Sequence, residues 1–213
     1  MRYLFALVFS LALTACGKSG NELSRFHEDG RAKPIVTVAS VIDATSFDLP
    51  WSISEELTSL LTNRISEGKS MFVSRKDDIS YTENPFSPDL SWMKREFSNN
   101  EFVVFVELAE HENVPVVKNN KKMAEVPFET SINLKLGARL RVVDLRGTTP
   151  QIVLQEMIRD SYFIPKSDIP INYSTVVWGS EEYSKSPMGI AHMHLVDEIA
   201  RRVNEYIHLA KSR

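Results

Sequence analysis

"SINLKLGARLRVV", Ser131 to Val143, alternates apolar and polar residues almost without a break. Ile132, Leu134, Leu136, Ala138, Leu140 and Val142 fall on one side of an extended chain, while Asn133, Lys135, Arg139 and Arg141 fall on the other. Side chains alternate faces along a strand, so this period of two predicts a strand with one dry face and one wet face. C-terminal to it, "DLRGTTP" (144–150) supplies a turn in which Gly147 is able to take positive φ, and 151–164 returns as a further strand. N-terminal to it, Lys118, Asn119, Asn120, Lys121 and Lys122 mark a turning loop. Before that loop, "EFVVFVELAEH" (101–111) is the most strand-like run in the chain, as befits a central strand. The three strands are expected to pair as an antiparallel meander.

Upstream, "PIVTVASVID" (34–43) is β-branched without a clean polar face, which predicts a strand covered on both sides. Ser52 and Glu55 form a capping box, and Ile53, Leu57, Leu60, Leu61 and Ile65 recur at helical spacing until Gly68, so 52–67 reads as an amphipathic helix. "MFVSR" (71–75) reads as a short strand. "SPDLSWMKREF" (87–97) reads as a short helix with Ser87 as cap and Pro88 at its first position. After Pro165, "KSDIPINYSTVVWGSEEYSKS" shows no sustained period, and loops of that length inside a domain are more often functional than accidental. Ser186 and Pro187 then open a last helix whose stripe is Val196, Ile199, Ala200, Val203, Ile207 and Ala210. The expected fold is a single α/β domain: a mixed sheet of about five strands, with helices packed on it and a C-terminal amphipathic helix.

The chain has 213 residues, 43% of them apolar, a formal net charge of −3 and one cysteine. That length suits one domain with a real core. A mildly acidic chain lacks the footprint of a nucleic-acid binder, so no such partner is expected. Cys16 follows Met1, Arg2 and the apolar run Tyr3–Leu13, which is too short to span a hydrocarbon core that takes about 20 residues. A short positive start, an apolar middle and small residues after it predict a secretory signal peptide over 1–15. Residues 17–33 are polar and aperiodic and read as a tether, leaving 34–213 as the folded domain.

Leu13, Thr14, Ala15 and Cys16 resemble the box of bacterial lipoproteins. The resemblance implies cleavage before Cys16, a diacylglyceryl group on its sulfur and a palmitate-type chain on its new amino terminus. Two or more chains anchor a protein stably where one holds only marginally. Gly17 stands where an Asp would favour inner-membrane retention in enterobacterial lipoproteins, so delivery to the outer membrane with the domain facing the periplasm is expected.

Reactive constellations are sparse. Among five histidines, His192 and His194 are two apart on one helix and cannot converge on an ion, so no metal site is expected. His192 near the apolar stripe reads as a satisfied core histidine, and His194 can face Glu198 one turn on. Asp77 with Asp78, and Glu181 with Glu182, are adjacent pairs that read as solvated charge rather than as glycosidase carboxylates. No phosphate loop, dinucleotide fingerprint or nucleophile elbow is present, so neither a cofactor nor an enzymatic activity is expected. Lys135, Arg139 and Arg141 make a basic stripe without interleaved aromatics. Tyr173, Trp178 and Tyr183 in the late loop are candidates for partner binding, because aromatics bury large area at small entropic loss.

The segments "IVTVASVID", "SISEELTSLLTNRI", "MFVSR", "EFVVFVEL" and "LRVVDLRG" resemble the periplasmic lipoprotein superfamily that includes the curli secretion channel subunit, cell-wall-synthase activators and the N-terminal domain of TolB. "VVDLRGTTPQIVLQE" and "SPMGIAHMHLVDEIARRVNEYI" look like an uncharacterised lipoprotein family of chlamydia-like bacteria. The resemblance implies an interaction or assembly module in envelope biogenesis or a secretion machine, held to the membrane by lipid, with an envelope protein as partner and the capacity to oligomerise. The alternatives are an envelope enzyme acting on cell-wall glycan and a subunit of an oligomeric export channel.

Overall fold

The computed structural model describes residues 25–74, 83–116, 131–169 and 171–212. Cys16 with its leader, the first part of the tether, Asp77, Asp78 and the loop Lys118–Lys122 lie outside the described residues. The chain divides between Lys33 and Pro34 into two units. In the first, Phe26 bridges Ala32 across a turn in which Gly30 takes φ 82° and Arg31 pairs with Asp29. Everything below concerns the second.

Its elements are β1 (Ile35–Val38), β2 (Ile42–Asp43), α1 (Ile53–Glu67), β3 (Phe72–Val73), α2 (Met93–Glu96), β4 (Phe102–Pro115), β5 (Ile132–Asp144), β6 (Gln151–Ile164), α3 (Glu181–Ser184) and α4 (Pro187–Lys211). The strands form one six-stranded sheet in the order β3-β1-β4-β5-β6, with β2 also paired to β4. The pairings of β1, β2 and β3 are parallel, and β4, β5 and β6 form the antiparallel meander, so the sheet is mixed.

The sixth strand comes from a break in the run 34–43. Val38 pairs with Val104 and Ile42 with Glu107, so β1–β2 spends one more residue than β4 across the gap, as in a bulge. Helix α1 satisfies the backbone freed there: the Val41 N–H donates to Thr58 Oγ1 at 2.8 Å, and the Val41 carbonyl accepts from Ser54 Oγ.

Helices α1 and α4 lie on one face of the sheet. Leu57, Leu61 and Ile65 from the first and Leu195, Val196, Ile199, Val203 and Ile207 from the second share one buried core with Leu134, Leu136, Leu140 and Val142 of β5. Burying each such side chain contributes about 1.5–3 kcal/mol. The caps form as the sequence implies: Ser52 Oγ accepts from the Glu55 N–H at 3.2 Å, and Ser186 Oγ from the Gly189 N–H at 3.1 Å.

The opposite face departs from expectation. Instead of being wet along its length, it carries a second core in which Trp92, Met93 and Phe97 cover Val103, Phe105 and Val143. Arg141, expected in a solvated basic stripe with Lys135 and Arg139, is buried beneath that cover. Its guanidinium donates to the backbone carbonyls of Pro85 at 2.7 Å, Ser87 at 2.7 Å and Phe86 at 2.9 Å, and to Gln155 Oε1 at 2.8 Å. The helix expected over 87–97 is confined to 93–96, and Ser87, its expected cap, turns its carbonyl to Arg141. Gly147 is not among the described glycines with positive φ, so its turn forms without the left-handed conformation.

Candidate functional site

At the centre of the helical face is a buried polar cluster assembled from four elements and one loop. Glu56, in the first turn of α1, and His192, in the second turn of α4, are both completely buried. Glu56 Oε1 lies 2.8 Å from His192 Nδ1 and accepts from the Tyr183 hydroxyl of α3 at 2.6 Å. Glu56 Oε2 accepts from Trp51 Nε1 at 2.7 Å. On its far side, His192 Nε2 meets His111 Nε2 of β4 at 2.9 Å. The His111 ring lies against Phe47 at a tilt of 46° with centroids 3.9 Å apart, and its Nδ1 is buried without a hydrogen-bond partner among the described residues.

A carboxylate surrounded by donors is a compensated buried charge. Burial alone would raise the Glu56 pKa, but the His192 hydrogen bond and charge, with the Tyr183 and Trp51 hydrogen bonds, outweigh it and hold the carboxyl below its ordinary range. Burial, reinforced by the charge of Glu56 and the bond to it, pushes the Tyr183 phenol well up. His111 is pushed down to about 4, first by burial and then by His192. His192 is thus a core histidine with both ring nitrogens engaged, as its place in the apolar stripe implies. His194 turns to Tyr162, ring centroids 5.7 Å apart, rather than to Glu198, whose carboxylate is taken by Arg201 and Arg202. Among the described residues no group of histidine, cysteine and carboxylate side chains is arranged to hold a metal ion.

Above the cluster an open groove of about 620 Å³ runs between the end of the late loop, α3, the N-terminal half of α4 and Leu60 of α1. Trp178, Ile190 and Met193 give it apolar walls, and Ile190 and Met193 remain 45% and 41% exposed. The three late-loop aromatics take different places. Trp178 lines the groove and is half-buried. Tyr183 also lines it, but from within, with its hydroxyl turned down to Glu56. Tyr173 is not part of the wall; it packs with Trp51 and Tyr183 at ring-centroid distances of 6.5 and 6.4 Å. Glu181 pairs with Lys185 on α3 and does not converge with Glu182 on a cleft. Sequence reasoning missed Trp51, Glu56 and His111. Glu56 carried a signal, since position 56 lies inside the stripe of Ile53, Leu57 and Leu60, where a carboxylate is buried unless the helix turns.

Residues 22–211 match a protein family of unknown function, DUF7499. The chain belongs to that family. Among solved structures, a hypothetical protein of Chlamydia trachomatis is 24% identical with a TM-score of 0.65, covering 83% of this chain and 98% of that one. A Xanthomonas campestris protein of the DUF330 family is 6% identical with a TM-score of 0.50, covering 85% of this chain and 90% of that one. A lipoprotein of Neisseria meningitidis is 11% identical with a TM-score of 0.39, covering 79% and 99%. The first two establish the shared fold. No curated protein matches the chain. Among the described residues no helix is long and apolar enough to cross a membrane.

Proposed function

We propose that this protein is an envelope lipoprotein, held at the outer membrane by acyl chains on Cys16, whose domain 34–213 docks a protein partner in the groove beside Trp178 and does not turn over a substrate. The observation that carries the reading is the groove itself: apolar side chains stand exposed on its wall, over a polar cluster whose groups are spent on one another. An exposed apolar surface rimmed by polar groups is what a partner covers. Anchoring confines the groove near one leaflet, which raises its effective concentration for partners within reach of the tether.

The experiment is affinity capture from crosslinked envelopes of the parent organism, comparing the wild type with Trp178→Ala and Cys16→Ser. Wild type should retain a partner that Trp178→Ala loses at least tenfold while its urea unfolding stays within about 1 kcal/mol. Cys16→Ser should release the protein from the membrane and lose the same partner. Equal capture by Trp178→Ala would overturn the groove as the docking surface, and an unacylated Cys16 in the mature protein would overturn the anchor.

A further inference from the structure

We propose that the histidine pair His111–His192 is an acid-sensitive latch on the docking groove: a second proton on the pair breaks it and releases Tyr183, and with it α3 and the groove wall. The inference rests on the groove reading above and adds its regulation.

At 2.9 Å, the two Nε2 atoms share a single hydrogen: whichever ring donates, the other must accept. The pair therefore holds its geometry with both rings neutral or with one imidazolium, but not with two, because two N–H groups would then point at each other. A solvated histidine titrates near 6.5, so an opened pair takes up two protons in mildly acidic solution where the closed pair holds one at most. Among the described residues, charged groups face the pair from two elements. Glu56 of α1 lies against His192, the nearer ring, at 2.8 Å. Asp43 of β2 and Glu56 both favour a charge on His111, but burial against Phe47 opposes it more strongly. Tyr183 of α3, Tyr173 of the loop and Trp51 present neutral rings, and β5 presents Leu136 opposite His111.

The consequence reaches the surface through one side chain. The Tyr183 hydroxyl contacts both Glu56 Oε1, at 2.6 Å, and His192 Nδ1, at 2.9 Å, while its ring stands in the groove wall. Opening the pair frees His192, loosens the tie on Tyr183, and lets Glu181–Ser184 leave the face of α4. Linkage sets the size: below pH 6.5 the open state gains up to about tenfold in population per pH unit for each proton it binds beyond the closed state.

Hydrogen exchange of the full-length protein, corrected for intrinsic rates, tests this directly. Between pH 7 and pH 5, protection across 176–195 should fall at least tenfold more than protection in β4 and β5. His111→Gln keeps an N–H donor for His192 but takes up no proton, and it should flatten that selective loss. Tyr183→Phe breaks the tie itself, and it should show the low protection already at pH 7. A uniform loss across the domain, a selective loss undiminished in His111→Gln, or a Tyr183→Phe protein as well protected as wild type would overturn the latch. None of these readouts involves the partner, so a failure here leaves the docking experiment standing, and the converse.

Discussion

Two buried charges sit on opposite faces of the same sheet, and they are compensated by different chemistry. Arg141 is surrounded by the carbonyls of Pro85, Phe86 and Ser87 and by the amide oxygen of Gln155, all uncharged and none able to titrate. Glu56 is surrounded by His192, Tyr183 and Trp51, and through His192 by His111, so two of the four side chains are imidazoles, the side-chain type whose unperturbed charge change falls in the physiological range. A guanidinium stays protonated at any pH a cell meets, and a backbone carbonyl cannot be mutated away. The first site therefore fastens the segment 85–97 permanently, whereas the second fastens α3 under conditions. The fixed site lies beneath a closed cover. The conditional one lies beneath the groove.

The largest effect should come from breaking the fixed site. Arg141→Ala leaves three backbone carbonyls turned into a core with no donor, and breaking a buried charged network of this kind costs about 3–5 kcal/mol. Urea unfolding at pH 8 and at pH 5 should give the same loss, because nothing at that site changes protonation between them. A loss that varied strongly with pH would mean that the two sites are not independent.

Next in size is the wild type's own response to acid. The His111 pKa of about 4 in the folded state lies below the 6.5 of the unfolded chain, so between these values the unfolded state binds more protons and stability falls as pH falls. Glu56, held below its ordinary range, acts in the same direction as pH drops through the acid range. The histidine alone should account for a decline on the order of 3 kcal/mol between pH 6.5 and pH 4. Urea titrations across that window check it. In His111→Gln the decline should shrink, while in Arg141→Ala it should persist at full size.

The two sites also differ in how much of them the sequence disclosed. The meander was legible because β5 alternates, 101–111 is rich in strand formers, and the turn at 144–150 returns the chain into 151–164, signals that depend only on local geometry. The helical face was legible for the same reason, in the stripes of α1 and α4. The second core was legible only in part: Met93 and Phe97, four apart, fall on one apolar side of 87–97, but the sheet residues they cover and the burial of Arg141 follow from contacts distant in sequence. Local propensity read 87–97 as a helix, of which 93–96 forms. His192 was read as a satisfied core residue from its place on α4, yet its partners stand 136 and 81 positions away in sequence, a separation no periodicity reports. The split of 34–43 into β1 and β2 has a similar origin, since its bulge is held by Ser54 and Thr58 of α1.

The smallest effect sharpens the comparison by disturbing the conditional site without touching its charges. Gly189 lies in the first turn of α4, where a Cβ would come within 2.1 Å of the Tyr183 carbonyl oxygen and 3.0 Å of its carbon. At an exposed helical position Gly→Ala stabilises by up to about 1 kcal/mol, because alanine loses less backbone entropy. Here the added methyl must push α3 away from α4, and overpacking of that kind costs about 1–3 kcal/mol, so Gly189→Ala should destabilise. The displaced backbone belongs to Tyr183 itself, so the tie to Glu56 should lengthen, and the stability remaining should depend less on pH than in wild type. Protection from hydrogen exchange should drop in α3 and hold across Trp92–Phe105, which packs on the other face. A stabilised Gly189→Ala protein would mean that α3 does not rest on α4 in solution, and the groove would then lack the wall that the Glu56 cluster is held to support.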